Sequence, residues 1–137
     1  MKGFKAAIDS ETIENTDFRR VLYTSEYSQL VLMSLPPGEE IGLETHEAND
    51  QFFRVENGRG KCVIDGNEYQ LRDGDAVVVP RGVKHNIINL SDTDDLKLYT
   101  IYSPPHHKDG IVKATKSEAA ANEEEFDGTT TEVAKSR

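Results

Sequence analysis

Turn chemistry cuts this chain into short pieces at close intervals, and that punctuation limits its fold more than any other feature. Pro36-Pro37-Gly38 cannot continue a sheet ladder, because neither proline carries an N–H. Asn57-Gly58 and Asp65-Gly66 are tight-turn dipeptides whose residues accept a positive φ. Asp73-Gly74 and Pro80-Arg81-Gly82 break the chain again. The runs between the breaks are rich in β-branched and aromatic residues. They predict strands over residues 19–23, 29–35, 42–46, 51–56, 60–64, 68–71, 76–79, 85–89 and 96–102. No long stretch of this zone carries a 3.6-residue apolar period. Many short strands with glycine-rich turns predict an all-β sandwich or barrel.

Composition divides the rest. Hydrophobic residues make up 36% of the 137 and aromatic residues 7%. That supports one core and leaves part of the chain outside it. Residues 1–17 read as a mixed N-terminal arm, 18–114 as the barrel, and 115–137 as a polar, acidic, flexible tail. Glu118, Glu123, Glu124, Glu125, Asp127 and Glu132 carry much of the net charge of −9. Ser117 can cap a turn or two of helix over 117–125, with the tail otherwise solvated. An acidic chain without a basic patch is unsuited to nucleic acid. Cys62 is the only cysteine, so neither an intramolecular disulfide nor a thiolate zinc cluster can form. The first residues lack the apolar core of a leader peptide, and no apolar run approaches the ~18 residues of a membrane span. No membrane partner and a cytoplasmic location are expected.

Four residues of metal-ligand type stand at telling positions. Glu44 and His46 are two apart, so on a strand their side chains share a face, about 7 Å apart along the backbone. Gln51 opens the next strand after a short turn. His85 follows the Pro80-Arg81-Gly82 turn at the head of an apolar strand. Two nitrogens and two oxygens suit Zn, Mn, Fe, Ni or Co better than Ca or Mg.

The spacings resemble the two motifs of the cupin superfamily, a family of double-stranded β-helix (jelly-roll) barrels. The first motif runs Gly38-x5-Glu44-x-His46-x4-Gln51-x6-Gly58. The second runs Gly74-x5-Pro80-x-Gly82-x2-His85-x3-Asn89. Glu44 stands where the family has a first His, and Gln51 where it has Glu. The resemblance implies one divalent transition metal held by Glu44, His46, Gln51 and His85. Asp50 competes with Gln51, but strand parity groups Gln51 with Phe53 and Val55 as an interior set. The six-residue spacing to Gly58 also selects Gln51. His106 and His107, after Pro104-Pro105, read as surface loop histidines. Cys62 reads as a small core or interface residue.

The ligand inventory is similar to that of type I phosphomannose isomerases, with Gln and Glu exchanged. It implies an isomerase acting on a sugar phosphate or a similar hydroxy-carbonyl compound. Arg54, Arg81 and Lys84 are candidates to meet a phosphate, although parity turns Arg54 away. One alternative is an Fe- or Mn-dependent oxygenase with Leu32, Phe53, Val79 and Ile87 as an apolar wall. Another is a non-catalytic ligand-binding cupin. The partners implied are a small-molecule substrate or ligand and a second copy of the chain, as a homodimer using outward residues such as Phe52, Arg54 and Glu56.

Overall fold

A computed structural model of the chain describes residues 1–133. Strand β1 (Arg19–Thr24) turns back through Ser25 and Ser28 into β2 (Gln29–Leu35). Strand β3 (Asp50–Asn57) alternates as parity requires: Gln51, Phe53 and Val55 are buried, while Phe52, Arg54 and Glu56 are half-exposed. Strands β4 (Gly60–Ile64) and β5 (Asn67–Leu71) make a hairpin around Asp65 and Gly66, at φ 48° and 80°. Two consecutive positive φ values match the twist of such a turn, which is why Asp-Gly stands there. Strands β6 (Ala76–Val79), β7 (His85–Asn89), β8 (Leu96–Ser103) and β9 (Val112–Lys113) complete the set.

One sheet has the order β6-β3-β8-β2-β1-β9 and the other β5-β4-β7, with antiparallel pairing throughout. Their inner faces meet on one core that includes Val31, Met33, Phe53, Ile87, Leu98 and Tyr102. Strand β2 is buried at nearly every position because helix α1 (Ile8–Glu14) covers its outer face. This is the all-β barrel expected from the turns, in the jelly-roll form that the motif resemblance implied. No helix among the described residues is long and apolar enough to cross a membrane.

The departures have local causes. Residues 42–46 do not form a strand. Gly42 sits at φ 110°, and its N–H donates to the Asn86 side chain at 2.9 Å instead of to a ladder partner. Isolated bridges pair Glu40 with Ile88 and Glu44 with His85. Helix α1 lies inside the segment read as an arm, too short for its period to show. It is held down by Lys97 Nζ, which donates to Asn15 O at 2.5 Å and Ser34 Oγ at 3.0 Å.

The tail also differs from expectation. Helix α2 (Lys116–Ala121) is capped by Thr115, whose hydroxyl accepts from Glu118 N, and not by Ser117. Beyond it the chain is mostly exposed, as its composition suggests, yet it is pinned to the barrel. Lys108 N donates to Glu124 O, Phe126 N to His106 O and Thr131 N to Thr24 O, at 2.9–3.0 Å. Lys113 Nζ meets Glu124 at 2.8 Å. Glu132 accepts from Lys2 N, Gly3 N and the Tyr23 hydroxyl. Carboxylates read as solvated have found donors far away in sequence. Residues 134–137 of the expected tail lie outside the described residues.

Gly60 shows how tightly β4 is packed, against β7 in its own sheet and against Leu96 of the other. A Cβ there would lie 2.5 Å from Ile88 O and 2.9 Å from Leu96 Cδ2. Gly60→Ala is therefore expected to destabilise the fold by about 1–3 kcal/mol in urea denaturation, the range for overpacking. An unchanged midpoint contradicts this packing account.

Candidate metal centre

His85 begins β7, and Glu44 is bridged to it across the barrel mouth. Each backbone N–H donates to the other's carbonyl at 2.9 Å. Residues opposed in such an antiparallel pair project their side chains to the same side. Asn86 braces the segment by accepting from Gly42 N and donating to Glu40 Oε1 at 3.2 Å. His46 follows Glu44 into the same space. One ligand atom each from Glu44, His46 and His85 falls within 4.8 Å of the others.

The polar atoms are prepared for a cation. His85 Nδ1 lies 3.0 Å from Val83 O, which can only accept. The proton is thereby held on Nδ1 and Nε2 keeps its lone pair, the usual second contact of a metal-binding imidazole. His46 Nε2 lies 2.6 Å from Glu44 Oε2 but is not aimed along that contact, and makes no hydrogen bond of normal angle. Burial acts to raise the Glu44 carboxyl. His46, with Arg19 and His85 behind it, outweighs burial and holds Glu44 below the usual range. The His85 imidazole is lowered, chiefly by burial.

Gln51 is 3% exposed on β3, directly opposite Tyr102, whose ring lies 5.6 Å from that of His46. Its Nε2 donates to Thr100 Oγ1 at 3.0 Å, while its Oε1 is buried without a partner. An orphaned buried carbonyl oxygen costs free energy unless something binds it. Two oxygens and two imidazoles, with the Gln51 oxygen unclaimed and the His85 tautomer set, fit a divalent transition ion. Asp50 is exposed and accepts from Arg81 N at 2.9 Å, away from this cluster.

His106 and His107 are not surface histidines. His107 is 7% exposed, and the His106 ring lies 4.4 Å from that of His46. Buried Gln29 fixes their loop. Its Oε1 accepts from both backbone N–H groups at 3.2 and 2.9 Å, and its Nε2 donates to His107 O at 2.7 Å. His107 Nε2 also meets the Tyr102 hydroxyl at 3.2 Å. Burial pushes His106 down to about 4, with His46 adding to it, and His107 down to about 2, with Arg19 adding to it.

A cavity of about 300 Å³ opens beside the cluster, walled by Arg19, Glu44, His46, His106, His107 and the tail around Glu125. Arg19 was not singled out by motif, though its parity with buried Val21 places it inward. Arg54 pairs with Glu56 at 3.0 Å on the outer face, and Arg81 and Lys84 are exposed, so none of the three lines this cavity. Leu32 lies under α1 rather than beside the cluster, and Phe53, Val79 and Ile87 sit in the core.

Residues 31–102 match the family described as Cupin domain. The chain is 44% identical to the uncharacterized protein YrkC of Bacillus subtilis over 129 residues, 90% of this chain and 69% of that protein. The crystal structure of BH2720 from Bacillus halodurans superposes with a TM-score of 0.85 at 41% identity, covering 88% of this chain and 96% of that one. The 4-deoxy-L-threo-5-hexosulose-uronate ketol-isomerase of Oceanobacillus iheyensis is 33% identical over 69 residues, 50% of this chain but only 24% of that enzyme.

Acid is expected to destabilise the protein through His107. Its folded pKa is depressed to about 2, so the unfolded chain binds the proton first. Stability is therefore full above the unfolded value of about 6.5 and falls as pH drops toward the folded one, by up to about 1.4 kcal/mol per pH unit. Melting the EDTA-treated chain between pH 7.5 and 5 should show this fall, and His107→Gln should lessen it, His106 and His85 supplying the rest because burial lowers them too. An equal slope in the variant assigns the acid loss elsewhere.

Proposed function

The chain belongs to the cupin domain family, and from that premise we propose that it binds one divalent Zn, Mn, Fe, Ni or Co ion through Glu44, His46, Gln51 and His85, and isomerises a small hydroxy-carbonyl compound. The observation that carries the proposal is the convergence of Glu44, His46 and His85 ligand atoms within 4.8 Å, at the edge of a cavity of about 300 Å³. The bound metal supplies a Lewis acid that polarises a carbonyl oxygen.

The chain's own residues do the rest. Val83 O orients the His85 ring. Thr100 holds the Gln51 amide. His106, neutral and facing the cavity, is placed to carry a proton between adjacent carbons. Glu123, Glu124 and Glu125 of the tail form part of the cavity wall. The glutamates around the cavity disfavour a phosphate dianion, so the reading moves from sugar phosphates to unphosphorylated compounds. The sequence-related ketol-isomerase of Oceanobacillus supports the reaction class. The oxygenase reading is less favoured because Leu32, Val79 and Ile87 do not line this cavity, although the Phe53 ring lies 6.0 Å from that of His85.

A cytoplasmic homodimer completes the proposal. On the outer face of the large sheet, Val78, Phe52, Ile101 and Leu30 stand in one cross-strand row, and Val78 is 64% exposed. Such a row is better covered by a second copy than by water.

Metal analysis of the purified chain tests the site. About one equivalent is expected in the parent chain and under about a tenth of that after His46→Ala or His85→Ala. Gln51→Glu, which adds a charge at a ligand position, is expected to tighten binding in a chelator competition. Aldose–ketose interconversion of unphosphorylated sugars should be lost with the metal. Full metal content in both histidine variants refutes the site.

A further inference from the structure

Arg19 is the one group of the cavity that neither the metal cluster nor the fold accounts for. It begins β1, opposite Met33 and Lys113, and points inward at 8% exposure. Its Nε is buried without a hydrogen-bond partner. None of the ion pairs among the described residues involves it, although the cavity it lines also contains Glu44 and the tail glutamates. Its one aromatic contact is Phe18, whose ring centroid lies 5.3 Å from the guanidinium carbon. Its positive charge is nonetheless felt across the cavity: it lowers Glu44, His106 and His107.

A guanidinium nitrogen buried without a partner is costly, and a stacking contact on one phenyl ring does not replace the hydration lost there. Its planar fork matches a carboxylate. The cavity around it is small and polar, and Glu44 and His46 line it too.

We propose that Arg19 is the anion-recognition residue of this site, and that the molecule taken is a small hydroxy- or oxo-acid, its carboxylate on the Arg19 guanidinium and its remaining oxygens toward Glu44 and His46. The proposal rests on the metal-site reading above and narrows its substrate class from hydroxy-carbonyl compounds in general to those bearing a carboxylate. Acidic tail residues at the mouth then serve selection, because they turn away multiply charged anions while Arg19 satisfies one negative charge.

Calorimetric titration of the zinc-loaded full chain with two matched pairs, galacturonate against galactose and glycerate against glycerol, tests the idea. Each acid is expected to bind at least about tenfold more tightly than its neutral partner. Arg19→Gln should abolish that preference while metal content stays at the parent level, and Arg19→Lys should keep part of it. The melting temperature of ligand-free Arg19→Gln should not fall, because no ion pair is lost and the buried, unpartnered Nε is removed. Equal binding of acid and neutral compounds, no binding of either acid, or an unchanged preference in Arg19→Gln each overturns the proposal. So does a lower melting temperature in both variants with the preference intact, since Arg19 then serves only to pack on Phe18. A parent chain that takes up no divalent metal defeats the metal reading separately. The same pairs titrated into the EDTA-treated chain still show whether Arg19 selects acids.

Discussion

Glu44 and His85 exchange both of their backbone hydrogen bonds, at 2.9 Å in each direction, and the site follows from that pair. Residue 44 lies in a connection that has left the ladder, and residue 85 opens a strand of the small sheet. The pair fixes the register between them, so a carboxylate and an imidazole must project into the same space. His46 joins them because only one residue intervenes. Gln51 comes from the large sheet, where the register of β3 on β8 sets it opposite Tyr102. A slip of one residue in either pairing would turn its ligand-type side chain to the opposite face.

Around this centre, buried polar groups are satisfied in a graded way. Gln29 is saturated by the His106–His107 loop and Thr24. Asn89 donates to three carbonyls near the Pro36 turn and Asp94. These amides do structural work, holding irregular backbone that no strand pairs with. Gln51 Oε1, His46 Nε2 and Arg19 Nε remain without normal partners. Glu39 Oε2 and Arg54 Nε are also buried without normal partners, so the unmade hydrogen bonds count toward binding only where they coincide with ligand-type atoms, as at His46 and Gln51, or with the cavity wall, as at Arg19.

The C-terminal segment extends the logic outward. It contributes little apolar burial beyond Ala119, and its attachment rests on backbone hydrogen bonds and on carboxylates paired with Lys113, Tyr23 and the first residues. Interactions of this exposed kind are individually weak. They position acidic side chains at the mouth without making that cover part of the core.

The strands, the hairpin at Asp65-Gly66 and the inward parity of Gln51 were legible in the sequence, because period-two alternation and turn residues act over a few positions. The spacing of Glu44, His46 and His85 was legible for the same reason once it resembled a known motif. Residues 42–46 read as a strand because their alternation is sound, yet Gly42 and Asn86 take them out of the ladder, and that needed a partner far along the chain. His107 was read as a surface residue and is buried, because Gln29, far upstream in the chain, captures its backbone. Arg19 carries no motif, and its place in one cavity with Glu44 and His46 arises only in the folded chain. Local steric and hydrogen-bond preferences thus determined the elements and the faces of their side chains. Which charges share one cavity was decided by long-range backbone pairing, which no short window of sequence contains.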